Sequence, residues 1–247
     1  MQIQTFSPEF QCQKQKDLGH EGLTTWKKIL SDHKQTRENQ IVDLFHKGLV
    51  ALEITEDKIP RLDELNKKLK GLTGFQGVFV DGLEDGNRFY TMLKQRLFPI
   101  GNFIRDKRDL TYTPEPDIVH DLYGHLPFFV DKKYADFCQR FGELACEFLD
   151  REDLLRQFER FFWFTIEFGL IKVDEEVRVF GAGIASSTGE CAYALSGEPE
   201  VVPFDVDAIR KQEFRIDEMQ KKLFLLDSKE QLYNSLDELY EKVLQDR

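Results

Sequence analysis

Apolar residues return at helical intervals along much of the chain. Trp26, Ile29, Leu30, His33, Ile41, Phe45, Leu49 and Leu52 form a stripe with room for one break. A short helix is predicted over 61–70, entered after Pro60 and left at Gly71, because proline suits a helix start and glycine a helix exit. Helical spacing resumes at Phe89, Met92, Leu93, Arg96 and Leu97 and stops at Pro99. Tyr134, Phe137, Cys138, Phe141, Leu144, Ala145 and Phe148 mark the next amphipathic helix, and another is predicted from about Glu152 to Phe168. Strand signals are fewer. The glycine-rich run 74–86 reads as strand or loop, 177–180 as a short strand ending in a Gly181-Ala182-Gly183 turn, and 214–216 with 223–226 as a small sheet region. Ser187 with Glu190, and Ser228 with Gln231, have capping-box spacing. They introduce a short helix ending at Gly197 and a final helix through Leu232, Leu236, Leu239, Tyr240 and Val243. The whole predicts a mainly α fold with a minor β component.

No repeat, low-complexity tract or linker divides the chain, so one compact domain is expected over 21–247, with 1–20 as an N-terminal extension. Its 247 residues are enough for a single core. A net charge of −11 disfavours nucleic-acid and anionic membrane surfaces, which need a basic footprint. The N-terminus lacks the basic-then-apolar pattern of a secretion signal. The apolar run around Phe161 to Ile166 is too short to span a bilayer. Cys12, Cys138, Cys146 and Cys191 form no CxxC or disulfide framework and read as reduced thiols of a cytoplasmic protein, with Cys138 and Cys146 expected in the core of one helix.

Candidate chemistry centres on His120 and His125 in PEPDIVHDLYGHLPFF. On an ideal α-helix five residues turn a side chain by about 140°, so the imidazoles would not share a face. Gly124 and Pro127 offer a way for the helix to loosen or end between them. The prolines at 114 and 116 force 111–116 to be extended, and Asp117 can then cap the helix that holds His120. Glu167 interrupts the aromatic run FFWFTIEFGL, where a buried carboxylate is costly unless paired, protonated or bound to a metal. Two imidazoles and a carboxylate suit Fe(II) oxygen chemistry or a zinc hydrolase with metal-bound water, though HExxH is absent. The bland alternatives are core or capping histidines and a Glu167 salt bridge to a buried arginine.

YTPEPDIVHDLYGHLPFF, WFTIEFGL and FGAGIASSTGE closely resemble three segments of the pterin-dependent aromatic amino acid hydroxylases, in that family's order. The resemblance runs from about Thr24 to the C-terminus. It implies the catalytic-domain fold of those enzymes, Fe(II) held by His120, His125 and Glu167, and a tetrahydropterin cofactor. It also implies that Arg105 holds the substrate carboxylate, where a guanidinium offers a bidentate fork; a surface salt bridge is the alternative. Thr113 and Ser186 would position the amino acid, and Pro114, Pro116, Trp163 and Gly183 would wall its ring. Phe89 would stack on the pterin, beside Gly82 and Leu83, with Asp121 and Phe162 nearby. Three departures stand out: Asp121 where the animal enzymes commonly have Glu, Phe162 where the family usually has Tyr, and Pro99 in place of a pterin-side His. Glu190 aligns with an acid near the site but is adequately explained as a capping-box residue.

Within the family, Trp163 and Ile216 favour phenylalanine para-hydroxylation, while VRVFGAG and ALSG lean toward tryptophan hydroxylases. The regulatory domain and tetramerisation helix of the animal enzymes have no room here, so a monomer is expected.

Overall fold

The computed structural model describes residues 13–36, 39–82, 85–108, 110 and 115–247. The expected roles of Leu83, Thr113 and Pro114 therefore lie outside the described residues. The first apolar stripe becomes two helices, α1 (Gly19–Thr36) and α2 (Asp43–Leu52). Between them Ile41 bridges to Val179, so the break is also a tie to a distant strand.

Helix α3 (Leu62–Leu72) buries Leu62, Leu65 and Leu69 on one face. It continues through Gly71, and the N–H groups of Thr73 and Gly74 close it on Leu69 O. A parallel β-α-β unit follows. Strand β1 (Gln76–Val80), helix α4 (Gly86–Lys94) and strand β2 (Leu97–Gly101) place Val78 opposite Pro99. Leu97 is thus a strand residue, not the end of a helix. Arg96, at φ 57°, makes the reversal, and the two-stranded sheet tolerates a proline that cannot donate.

Helices α5 (Lys132–Ala145) and α6 (Glu152–Phe162) form the aromatic centre. Phe141 meets Phe158, Phe161 and Phe162 at ring-centroid distances of 5.5–6.1 Å. Phe45, Phe75, Phe128, Phe129, Phe148 and Phe164 are also fully buried, each burial stabilising by about 1.5–3 kcal/mol. Cys138 is buried in α5, but Cys146 lies in the tight turn after it and is half-buried.

Strands β3 (Leu170–Val173) and β4 (Glu176–Val179) make an antiparallel hairpin. Next come α7 (Ala182–Ala185), α8 (Thr188–Ala194), β5 (Glu200–Pro203), α9 (Val206–Ile209), β6 (Lys222–Leu226), α10 (Lys229–Asn234) and α11 (Leu236–Gln245). The second sheet has the order β4-β3-β6-β5. Gly183, expected in a turn, lies inside α7. Residues 214–216 are not a strand, because Phe214 leaves the sheet to stack on Trp163. Ser187 and Ser228 cap α8 and α10 as their spacing predicts, accepting from the N–H of Glu190 and Gln231. No helix among the described residues is long and apolar enough to cross a membrane.

Candidate metal centre and substrate cavity

Two stretches of the chain abandon α-helical winding. Val119–His125 and Trp163–Glu167 are π-helical turns. In the first, Leu126 N–H reaches back five residues to Asp121 O. In the second, Phe168 N–H reaches Trp163 O at 2.8 Å. Widened to an i→i+5 repeat, the first turn brings residues five apart toward one face. His120 and His125 then stand with ring centroids 4.8 Å apart. Of the two ways expected for the helix to bring the imidazoles together, loosening or ending, the structure shows loosening: a wider, continuous turn. Gly124 serves differently: a Cβ there would lie 2.8 Å from Ser186 Cβ and 2.9 Å from Ala182 O, so the glycine lets α7 pack against the turn.

Glu167 ends the second π turn and faces both imidazoles. Its Oε1 lies 3.0 Å from His125 Nε2 and its Oε2 3.3 Å from His120 Nε2. The buried arginine considered as a partner is not what it meets. Gly183 makes room for this carboxylate, since a Cβ would come within 2.9 Å of Glu167 Oε2.

Asp121 also sits close, and one donor atom from each of His120, Asp121 and His125 falls within 4.8 Å of the others. Its oxygens are already engaged, however: Oδ2 accepts from Gly101 N–H at 2.7 Å and Oδ1 lies 2.9 Å from His120 Nδ1. Asp121 therefore orients His120 from behind, the usual task of a carboxylate beside a metal-binding imidazole. Glu167 is the carboxylate left facing both Nε2 atoms.

His125 is fully buried, and neither ring nitrogen has a hydrogen bond. The 3.0 Å approach to Glu167 lacks hydrogen-bond alignment. A buried imidazole so placed has a lone pair needing a partner, and a cation between the three side chains supplies one. The donor set, two nitrogens and one carboxylate, fits a divalent iron with coordination positions left open. Burial opposes a charged His120, but Asp121 and Glu167 outweigh it and hold the imidazolium up to about 10. Burial likewise opposes ionisation of Glu167, and the two histidines overcome it, holding the carboxyl well below the usual range.

Asp117, fully buried, accepts from the N–H groups of Val119 and His120 at 3.1 and 3.0 Å and so caps the ligand-bearing turn. It also pairs with Arg105, which is buried rather than on the surface. The remaining Arg105 nitrogen, Nη1, reaches Leu110 O at 3.3 Å.

A cavity of about 520 Å³ opens beside the triad. Arg105, Pro116, Trp163, Gly183 and Ser186 all line it, together with His120 and Glu167. Ser186 is buried, its hydroxyl donating to Gly183 O. The sequence reading missed Phe214 as part of this wall: its ring stacks on Trp163 at 4.3 Å and 14°. Spacing gave no sign of it, because Phe214 lies in irregular chain far from Trp163 in sequence. A smaller cavity of about 100 Å³ also adjoins His120 and Glu167, lined by Gly82, Phe89, Pro99, Pro116 and Asp121 among others. Phe89 borders both spaces and is held edge-on by Phe98 and Phe162, at 6.1 and 5.1 Å. A half-buried aromatic ring beside an apolar recess fits a flat heterocycle such as a pterin.

A family model described as biopterin-dependent aromatic amino acid hydroxylase matches residues 13–246. The chain is 35% identical over 216 residues to phenylalanine-4-hydroxylase of Chromobacterium violaceum, covering 87% of this chain and 72% of that one. It is 37% identical over 214 residues to the Ralstonia nicotianae enzyme of the same name, covering 85% and 67%. Its fold superimposes with a TM-score of 0.89 on the C. violaceum phenylalanine hydroxylase crystal structure with bound iron(III) and 7,8-dihydrobiopterin, at 32% identity over 98% of this chain and 89% of that one.

Proposed function

The chain belongs to the biopterin-dependent aromatic amino acid hydroxylase family, and on that premise we propose that it converts L-phenylalanine to L-tyrosine, using O2, Fe(II) and a tetrahydropterin. The observation that carries this reading is the pair of π turns, which gather His120, His125 and Glu167 at the edge of a cavity that also holds Arg105. The relatives named phenylalanine-4-hydroxylase support the substrate class. A zinc hydrolase receives no support from this family.

His120, His125 and Glu167 would hold the iron. Fe(II) and the reduced pterin, when bound, supply the activation of O2 and the delivery of one oxygen atom to the ring. Asp121 keeps the His120 ring turned toward the metal by engaging Nδ1. Arg105, fixed by Asp117, presents a guanidinium to the substrate carboxylate. Trp163, Pro116 and Gly183 confine the aromatic ring, and Ser186 offers a hydroxyl beside it. Phe89 gives the pterin an aromatic face, with Gly82 and Asp121 around it, while Phe162 holds Phe89 edge-on from the larger cavity. Leu83, Thr113 and Pro114 join these sites on the resemblance alone.

We further place the activity in a single catalytic unit spanning 21–247, acting as a cytoplasmic monomer with no nucleic-acid partner. Product analysis with iron-loaded protein, a tetrahydropterin and each aromatic amino acid tests the reading. Tyrosine formed from phenylalanine, with one product per O2 consumed, is expected. No pterin-dependent product from any aromatic amino acid would overturn it.

A further inference from the structure

An amino acid brings two opposite charges into its site. Arg105 accounts for the carboxylate, and the α-ammonium needs a partner as well, because an uncompensated charge in a confined apolar cavity is costly. The acidic residues lining the 520 Å³ cavity are Glu159, Glu167, Glu190, Asp217 and Glu218. Glu167 faces the two histidines. Asp217 is bound twice by Arg215, at 2.9 and 2.7 Å, and Glu218 lies near Arg215 and Lys221. Glu159 is exposed to water.

Glu190 differs from all of these. It is half-buried on the cavity wall, and among the described residues its carboxylate makes no hydrogen bond or ion pair. The capping box that would explain it is only half made. Glu190 N–H donates to Ser187 Oγ at 3.2 Å, but Ser187 N–H goes to Ile184 O at 3.0 Å instead of to the Glu190 side chain. Burial, with no cation nearby to offset it, pushes the Glu190 carboxyl up. A half-desolvated carboxylate with nothing to hold is a poor stabiliser of the free protein. It is well suited to receive a cation.

We propose that Glu190 receives the α-ammonium group of the substrate, so that Arg105 and Glu190 together recognise the zwitterion of a free amino acid. The inference rests on the amino acid hydroxylase reading and extends it: the site discriminates free amino acids from aromatic acids lacking the amino group. Ser186 directly follows α7 and Glu190 lies in α8, and both line the cavity with Arg105. Gly183 of α7 abuts Glu167, so the receptor is tied through α7 to the triad.

Titration calorimetry on iron-loaded protein tests this, with L-phenylalanine and 3-phenylpropionate as the two ligands. The wild-type protein is expected to bind L-phenylalanine more tightly. Glu190→Gln should weaken L-phenylalanine by about ten- to a hundredfold, as expected for losing a charged hydrogen bond, and leave 3-phenylpropionate unchanged or tighter. Glu190→Asp should recover part of the preference. Equal weakening of both ligands would mean that Glu190 merely supports the wall, and an unchanged L-phenylalanine affinity would mean that the ammonium lies elsewhere. Either result overturns the proposal while leaving the hydroxylase reading intact. Failure of the wild-type protein to bind any aromatic amino acid would overturn both.

Discussion

Asp117 grips Arg105 with both carboxylate oxygens: Arg105 Nη2 donates to Oδ1 at 2.8 Å, and Nε donates to Oδ2 at 3.0 Å. The Arg105 backbone N–H adds a third bond to Oδ2 at 2.7 Å. The same Oδ1 accepts the N–H groups that begin the His120 turn. One buried carboxylate thus fixes the guanidinium proposed to meet substrate and the start of the segment that carries His120 and His125. The proposed substrate and metal sites would share a single support.

Removing that support should be felt in both sites. Asp117→Ala leaves the Arg105 charge buried without its partner, an effect of about 3–5 kcal/mol on stability. Asp117→Asn keeps the shape and should cost less. Denaturant unfolding combined with iron content of the purified variants checks this. Unchanged stability and full iron loading in Asp117→Ala would show that the pairing is dispensable. Arg105→Ala, by contrast, should leave iron content unaltered and weaken substrate use by about 2–5 kcal/mol, mostly as a higher KM.

The triad itself should bind about one iron per chain, as one two-histidine, one-carboxylate set allows. His120→Ala, His125→Ala and Glu167→Ala should each abolish iron retention and hydroxylation while keeping a native circular dichroism spectrum. Gly183→Ala is the subtler probe. Its added methyl would press on Glu167 Oε2, and displacing a ligand's surroundings typically lowers metal affinity by about ten- to a hundredfold. Equal metal affinity in wild type and Gly183→Ala would show that the carboxylate can shift freely.

Charge sharing in the triad gives the metal-free protein a defined pH dependence. His120 is raised from its ordinary 6.5 to about 10, so its stabilisation is complete below 6.5 and fades as pH rises toward 10. Glu167 is lowered from its ordinary 4.5, so its stabilisation is complete above 4.5 and fades as pH falls below that. The triad of chelator-treated protein should therefore contribute most between 4.5 and 6.5. Metal binding must displace the His120 proton, so metal affinity should climb with pH and proton release should accompany loading. Urea unfolding across pH, with and without chelator, measures the first. A flat alkaline limb in the metal-free protein would contradict it.

Much of this site was legible in the sequence because chemistry depends on residue type. The His120, His125 and Glu167 set and the Asp117 cap followed from motif, burial logic and family likeness. Their winding did not. A π turn has no distinct apolar pattern over five to seven residues, and YGH or FTIE reads equally well as α-helix. The end of α3 was misplaced because Gly71 looks like a stop, whereas the hydrogen bonds to Leu69 carry the helix past it. Strand β5 was missed because Glu200–Pro203 is a short stretch whose partner, β6, lies twenty residues on and sets its register only in three dimensions. Glu190 looked complete as a cap, and only the Ser187–Ile184 bond shows that it is not.

Trp163 and Ile216 stand differently toward the substrate cavity. Sequence likeness pointed to Trp163 and Ile216. Both line the large cavity, but Ile216 is 55% exposed, so it stands at the rim and cannot enforce a dry contact with the ring. Trp163 is instead packed against both Phe214 and Phe168, at ring-centroid distances of 4.3 and 4.6 Å. An indole held by two rings does not readily swing aside to admit a bicyclic substrate. Its Nε1 is buried and can only donate, so the indole offers no acceptor for a phenol hydroxyl. Burying that hydroxyl unpaired costs roughly 1–3 kcal/mol, which places phenylalanine ahead of tryptophan and tyrosine last. Phe214→Ala should free the indole and raise kcat/KM for tryptophan relative to phenylalanine by about tenfold, the scale of one to a few methylenes of pocket space. Ile216→Ala should shift the ratio less than Phe214→Ala does. Competition of the three amino acids at equal concentration measures the ranking directly. A larger shift from Ile216→Ala would mean that the rim, and not the packed indole, sets the specificity.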